Sequence, residues 1–152
     1  VINALKGWRK VFVRDNHTAL TYAKIILHLA TVVYPDAKKI TLVEDNLSAH
    51  KLAALYEIVP PQQARSIIRR IEVVRTPKHG SWLNIAESEL SVLTRCGLKR
   101  RTETKEKLIQ DVEAWQDKRN DNHKIVDWRF TTADARIKLK RLYPIYKCQN
   151  QT

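Results

Sequence analysis

The stretch Lys-Ile-Thr-Leu-Val-Glu-Asp-Asn, residues 39–46, is a short apolar run that ends in polar residues. Its β-branched and aliphatic side chains predict a buried strand over 39–44, with Asp45 at the carboxyl end. A second run of this kind, Ile-Glu-Val-Val-Arg, covers 71–75. Helical patterns separate the two runs, and strands that alternate with helices favour an α/β fold with parallel neighbours. Ligands usually bind at the carboxyl ends of such strands.

The rest of the chain fits this alternation. Residues 1–13 predict two strands joined by a turn at Lys6-Gly7. Thr18, Ser48 and Asn84 are the residue types that cap helices. The spacing of apolar residues predicts helices over 19–33, 48–58, 62–70, 84–96, 103–119 and 136–142.

The composition describes one ordinary domain with a basic surface. The chain has 152 residues, which suits a single domain with its own core. No apolar run approaches the ~20 residues that a membrane span needs. Cys96 and Cys148 stand far apart and without metal-ligand spacing, so we expect free thiols in a reducing cytoplasm.

The charge favours a polyanionic partner. Lys and Arg number 28 against 16 acids, which gives a net charge of +12. Residues 95–107 hold six basic residues and two acids, and residues 136–147 hold five basic residues and no acid. Such clusters are typical of nucleic-acid-binding surfaces. A generally basic, solvated surface is the alternative.

Two carboxylates stand where metal-dependent phosphodiester chemistry needs them. That chemistry uses two metal ions held by carboxylates on rigid elements. Asp45 follows a strand, and Glu87 lies in the first turn of a helix, where the helix dipole favours an acid. Either acid could instead be structural. Glu89 lies in the apolar stripe of the same helix, so periodicity leaves open which glutamate serves.

Two segments resemble a known family. Leu-Val-Glu-Asp-Asn-Leu-Ser-Ala-His (42–50) is similar to the second-Asp segment of bacterial insertion-sequence transposases related to the mariner superfamily. Thr-Pro-Lys-His-Gly-Ser-Trp-Leu-Asn-Ile-Ala-Glu (76–87) resembles their third-acid segment, with Ile85 in place of a proline. Residues 126–136 continue the resemblance. It implies that Asp45 and Glu87, rather than Glu89, are the catalytic and metal-binding residues.

The resemblance also implies a fold. The family fold is ribonuclease H-like, with a five-strand mixed sheet flanked by helices and its first Asp on the first, central strand. Asp15, Asp36 and Glu44 do not match that first Asp, and we expect Glu44 to point opposite Asp45. We therefore expect residues 1–152 to be a partial catalytic domain that lacks the first central strand and the N-terminal DNA-recognition domain. Its parts are a hairpin (1–13), the Asp-bearing strand (39–45), the Glu-bearing helix (84–96) and a basic helical tail (97–152).

The implied function is DNA transposition. The parent enzyme would cleave DNA and transfer strands with Mg²⁺ or Mn²⁺, acting on double-stranded transposon ends and target DNA in the bacterial cytoplasm, at the nucleoid. This chain alone would be incomplete, inactive and prone to form a homodimer. A non-catalytic nucleic-acid-binding remnant and a ribonuclease H-like nuclease or resolvase are the alternatives.

Basic and aromatic residues near the two acids are candidates for DNA contact. A cation can hold phosphate, and an aromatic ring can stack on a base. The candidates are Lys78, His79, Trp82, Arg95, Lys99, Arg100 and Arg101. Trp82 could equally be a core residue, and the arginines and lysines could form a solvated face. We expect His50 to face solvent from a helix.

Overall fold

The computed structural model describes residues 1–78, 84–98, 102–125 and 129–142. Its strands are β1 (Ile2–Asn3), β2 (Trp8–Arg9), β3 (Ile40–Glu44) and β4 (Ile71–Arg75). Its α-helices are α1 (Ala19–His28), α2 (Pro61–Arg70), α3 (Ile85–Val92), α4 (Lys105–Asp121) and α5 (Thr132–Lys138). Single π-helical turns extend α1 over Leu29–Val33 and α3 over Leu93–Gly97, and 3₁₀ helices cover Leu52–Glu57 and Lys140–Leu142. The chain is a mixed α/β structure, as its sequence predicts.

The strands form two separate pairs within the described residues. β1 and β2 are antiparallel, whereas β3 and β4 are parallel, with Ile40 opposite Ile71 and Glu44 opposite Arg75. A parallel pair needs a crossover connection. The 3₁₀ helix and α2 provide it here. The continuous mixed sheet of the ribonuclease H-like fold is not formed by the described residues, so that finer assignment stays a prediction.

The core lies between α1, the crossover segment and the inner face of β3 and β4. Its fully buried members are Ala23, Ile26, Leu29, Ala30, Ala54, Leu55, Ala64 and Ile67. On the outer face of β3 and β4, no described residues cover the side chains. Val43 is 52% exposed there, and Val74 is 45% exposed. The expectation that 39–44 is a buried strand is therefore wrong for one face.

The hairpin forms, but its second strand is shorter than predicted. Gly7 has φ +62°, the left-handed conformation that a turn glycine adopts most readily. Lys10 still exchanges backbone hydrogen bonds with Val1, whereas the N–H groups of Arg9 and Val11 bind side chains of α4. The Arg9 N–H donates to Asn120 Oδ1 over 2.9 Å, and the Val11 N–H donates to Gln116 Oε1 over 3.1 Å. These bonds fix the hairpin to α4, and the backbone of Val11 pairs with a helix side chain rather than with a strand.

The caps predicted at Thr18 and Asn84 are confirmed. Thr18 accepts from the Thr21 N–H, and Asn84 accepts from the Ala86 N–H. The helix predicted from Ser48 is wrong, because the 3₁₀ helix begins only after Lys51. The cause lies upstream, where Asp45 Oδ1 accepts the Leu47 N–H over 3.1 Å and folds the chain into a turn.

Two further observations bear on the sequence-based expectations. Within the described ranges, none of the helices is both long and apolar enough to span a membrane. Cys96 is exposed and has a free thiol, as predicted. Cys148 lies outside the described residues.

Candidate active site

Asp45 directly follows β3, at the edge where the carboxyl ends of β3 and β4 meet. Its side chain is 37% exposed. Oδ1 accepts the Leu47 N–H and lies 3.1 Å from His50 Nδ1. Among the described residues no side chain or N–H group bonds to Oδ2. One carboxylate oxygen is thus held in place, and the other is open to a ligand.

Glu44, the neighbour of Asp45, has a different environment. Its side chain is 6% exposed and faces α1, where Oε2 accepts the Tyr22 hydroxyl over 2.7 Å. Oε1 lies 3.0 Å from Arg75 Nη2, although the two are not aligned for a hydrogen bond. Burial raises the pKa of the Tyr22 hydroxyl, and the hydrogen bond and charge of Glu44 raise it further, so Tyr22 remains a donor. Glu44 is therefore occupied by structural partners.

His50 does not face solvent from a helix, so that expectation is wrong. It lies in the loop before the 3₁₀ helix, and its side chain is 22% exposed. Its ring packs on the Tyr22 ring, with 4.8 Å between centroids and 31° between planes. Nδ1 lies 3.1 Å from Asp45 Oδ1 and 4.0 Å from Glu44 Oε2. Both carboxylates therefore approach one imidazole, although Glu44 was expected to point away from Asp45.

Arg75 closes this group from β4. Nη1 donates to the Asp45 carbonyl over 3.2 Å, and Nη2 donates to the His50 carbonyl over 3.1 Å. Neither Arg75 nor Tyr22 was predicted from the sequence to belong to the site. The in-register pairing of the two strands would have placed Arg75 opposite Glu44. No signal in the sequence distinguishes Tyr22 from the other residues of the α1 stripe.

The two candidate glutamates of α3 have opposite environments. Glu89 is buried, and Arg119 binds it with two contacts of 2.7 and 3.2 Å. Arg9 Nε lies 2.9 Å from Glu89 Oε2, and the Arg9 side chain is 2% exposed. Both oxygens of Glu89 are thus engaged by guanidinium groups. Glu87 is exposed, and within the described residues its carboxylate has no partner.

Asp15, one of the acids that do not match the first Asp of the family, is engaged by another residue. Asp15 is exposed and binds Lys105 Nζ over 2.6 Å. The hydrogen bond from Lys105 and its charge lower the pKa of Asp15. Within the described ranges, no three His, Cys, Asp or Glu side chains are arranged to hold a metal ion.

Asp45 and Glu87 nevertheless have the donor chemistry that a hard cation requires. Mg²⁺ prefers oxygen ligands and is usually bound by one or two carboxylates, with waters and substrate phosphates completing its shell. The unpartnered Oδ2 of Asp45 and the exposed carboxylate of Glu87 fit that description. Their approach to one another stays a prediction.

Two of the residues predicted to contact DNA can be placed. Lys78 is exposed in the segment that follows β4. Arg95 is exposed on the π-helical turn after α3. Arg95 Nε donates to the Ser91 carbonyl over 3.4 Å. The other five, His79, Trp82, Lys99, Arg100 and Arg101, lie outside the described residues.

Comparison with known proteins gives one match. The model of the DDE superfamily endonuclease family matches residues 1–109. No curated protein and no solved structure matches the chain. The matched region includes Asp45, His50 and Glu87 and covers well over half of the 152 residues. The chain therefore belongs to the DDE superfamily of endonucleases.

Proposed function

We propose that this chain belongs to the catalytic domain of a bacterial insertion-sequence transposase related to mariner, with a ribonuclease H-like fold. The parent reaction is metal-dependent DNA cleavage followed by strand transfer. The observation that carries the proposal is the family match together with Asp45, a half-exposed carboxylate at the carboxyl edge of β3 and β4. Transposon ends and target DNA are the proposed partners, in the bacterial cytoplasm at the nucleoid.

Asp45 and Glu87 are the proposed metal-binding residues, for Mg²⁺ or Mn²⁺. When bound, the metal lowers the charge on the phosphate and activates the attacking water or 3′-hydroxyl. Glu87 is preferred to Glu89 because a metal ligand needs a free oxygen. Both oxygens of Glu89 are occupied by Arg9 and Arg119.

DNA would lie beside these carboxylates. Lys78 and Arg95 are exposed cations close in sequence to α3, and cations of this kind bind the phosphate backbone. The proposed contact residues are Lys78, His79, Trp82, Arg95, Lys99, Arg100 and Arg101.

We expect the chain to form a homodimer. A two-stranded sheet is marginal on its own, and an exposed strand edge readily pairs with another chain. The outer face of β3 and β4 also leaves Val43 and Val74 half exposed. Light scattering in solution should give twice the mass of the 17.7 kDa chain. A monomer at millimolar concentration would contradict this expectation.

Nicking of supercoiled DNA tests the catalytic proposal. We expect no strand transfer by this chain alone, because it is expected to be incomplete, and only slow residual nicking. This nicking should require millimolar Mn²⁺ and stop when a chelator is added, because two carboxylates hold the metal weakly. Asp45→Asn should lower the nicking rate about 100-fold, since removing a metal ligand costs about 3 kcal/mol of transition-state stabilisation. Asp36→Asn changes an exposed acid outside the site and should leave the rate unchanged.

The same assay separates the competing functions. DNA binding without any nicking would support a non-catalytic binding remnant. A joining assay uses an assembly that includes all partner domains. If that assembly nicks DNA but does not join cleaved transposon ends, a nuclease or resolvase is supported. Equal rates for the native chain and Asp45→Asn would remove Asp45 from the site.

A further inference from the structure

We propose that His50 is a positioning residue for Asp45, held in place by Tyr22, Glu44 and Arg75. The inference rests on the proposed function, because it concerns the carboxylate that would bind the metal. His50 is not one of the two proposed metal-binding acids, Asp45 and Glu87. Tyr22, Glu44 and Arg75 come from three different elements, α1, β3 and β4. Asp45 and His50 lie in the loop that follows β3.

One face of the His50 imidazole is fixed by α1. Its ring packs on the ring of Tyr22, and the Tyr22 hydroxyl donates to Glu44 Oε2 over 2.7 Å. The backbone of His50 is fixed separately, because Arg75 binds its carbonyl and the carbonyl of Asp45. The distance between residues 45 and 50 is therefore set by one guanidinium group that spans both ends of the loop.

The fixed ring presents one nitrogen to Asp45. Nδ1 lies 3.1 Å from Oδ1, on the oxygen that also accepts the Leu47 N–H. These two contacts leave Oδ2 as the oxygen that is open to a ligand. Partners that orient a metal-binding carboxylate commonly raise metal affinity 10- to 100-fold.

The contact between His50 and Asp45 is short but not yet aligned. Nδ1 is buried and has no well-directed hydrogen bond, and the same holds for Glu44 Oε1. Buried polar atoms without an aligned partner are uncommon and call for an explanation. Hydrogen bonds in unliganded sites are often poorly aligned and tighten when the ligand binds.

Binding of Mn²⁺ to the free protein, measured by electron paramagnetic resonance, tests this role without a need for catalysis. His50→Gln removes the nitrogen at the Nδ1 position, and we expect it to weaken Mn²⁺ binding about tenfold. His50→Asn places its amide nitrogen close to the Nδ1 position, so its Mn²⁺ affinity should lie within about threefold of that of the native chain. That loss is smaller than the roughly tenfold loss expected for His50→Gln. His17→Gln changes an exposed histidine outside the site and serves as the matched control.

The ring contact has its own test. Tyr22→Phe keeps the ring but removes the hydroxyl that binds Glu44, and it should weaken Mn²⁺ binding less than His50→Gln does. Tyr56→Phe removes the hydroxyl of a tyrosine that is 47% exposed and should have no effect. Urea unfolding of each variant identifies any change that comes from lost stability.

The expected pattern is specific to positioning. His50→Gln should shift the Mn²⁺ midpoint of nicking upward while the rate at saturating Mn²⁺ stays near the native value. Equal Mn²⁺ affinity for His50→Gln and the native chain, with Asp45→Asn still weakened, would overturn the role of His50 alone. Unchanged affinity for Asp45→Asn would overturn the proposed metal site and this inference with it.

Discussion

Replacing Glu89 with glutamine is expected to lower the free energy of unfolding by about 3–5 kcal/mol, because it breaks a buried ion-pair cluster and leaves charge behind. Glu89 is the only described carboxylate that contacts the guanidinium groups of Arg9 and Arg119. Burial already lowers the pKa of Arg9, and the charge of Glu89 opposes that effect. Without Glu89, two positive groups would face each other in a site from which water is largely excluded.

The matched control is two residues away in the same helix. Glu87→Gln changes an exposed side chain without a described partner, so its effect on unfolding should stay within about 0.5 kcal/mol. Urea unfolding followed by circular dichroism measures both variants, and a midpoint shift at constant slope identifies a change in stability. Similar stabilities for the two variants would mean that the cluster contributes little and would reopen the choice between the two glutamates.

The second large effect is expected in DNA binding, which should fall steeply with salt. A net charge of +12 favours many contacts between Lys or Arg and phosphate. A protein that neutralises about six phosphates loses roughly 10³-fold in affinity between 50 and 200 mM salt. Since phosphates carry no sequence information, we also expect similar affinities for unrelated duplexes.

Fluorescence anisotropy with two unrelated duplexes over a salt series measures both properties. Lys78→Gln and Arg95→Gln should each reduce the salt slope by about one, since each would remove one phosphate contact. Lys39→Gln is a suitable control, because Lys39 pairs with Glu72 near the amino ends of β3 and β4, at the opposite end of the strands from Asp45. A flat salt response, or a strong preference for one duplex, would contradict a binding mode based on the phosphate backbone.

The sequence predicted local structure well where the signal is local. The strand pair, the hairpin turn at Gly7 and the caps at Thr18 and Asn84 all follow from residue types and spacing. The helix expected from Ser48 failed because Asp45 makes a local turn with Leu47 and Arg75 holds the resulting loop from β4. The Arg75 contact joins residues 30 positions apart, which a pattern within one segment does not contain.

In the candidate site, too, residues that depend on local features could be predicted and residues that depend on distant contacts could not. Asp45 could be placed from the sequence because a strand end is a local feature. The choice between Glu87 and Glu89 could not be made by periodicity, since it depends on arginines that lie far along the chain. Tyr22 and Arg75 were missed for a related reason, because their roles come from the packing of α1 and β4 against one loop.

The bonds between the hairpin and α4 also have a consequence for synthesis on the ribosome. Arg9 binds Asn120 and the Lys124 carbonyl, more than 100 residues later in the chain. Contacts so distant in sequence form slowly, because a long loop must close first. During translation, at about 5–20 residues per second, the hairpin would wait at least several seconds for α4 to emerge. The two strands of the hairpin are thus locked in place only after α4 has been made, and until then they are available to chaperones or to another nascent chain.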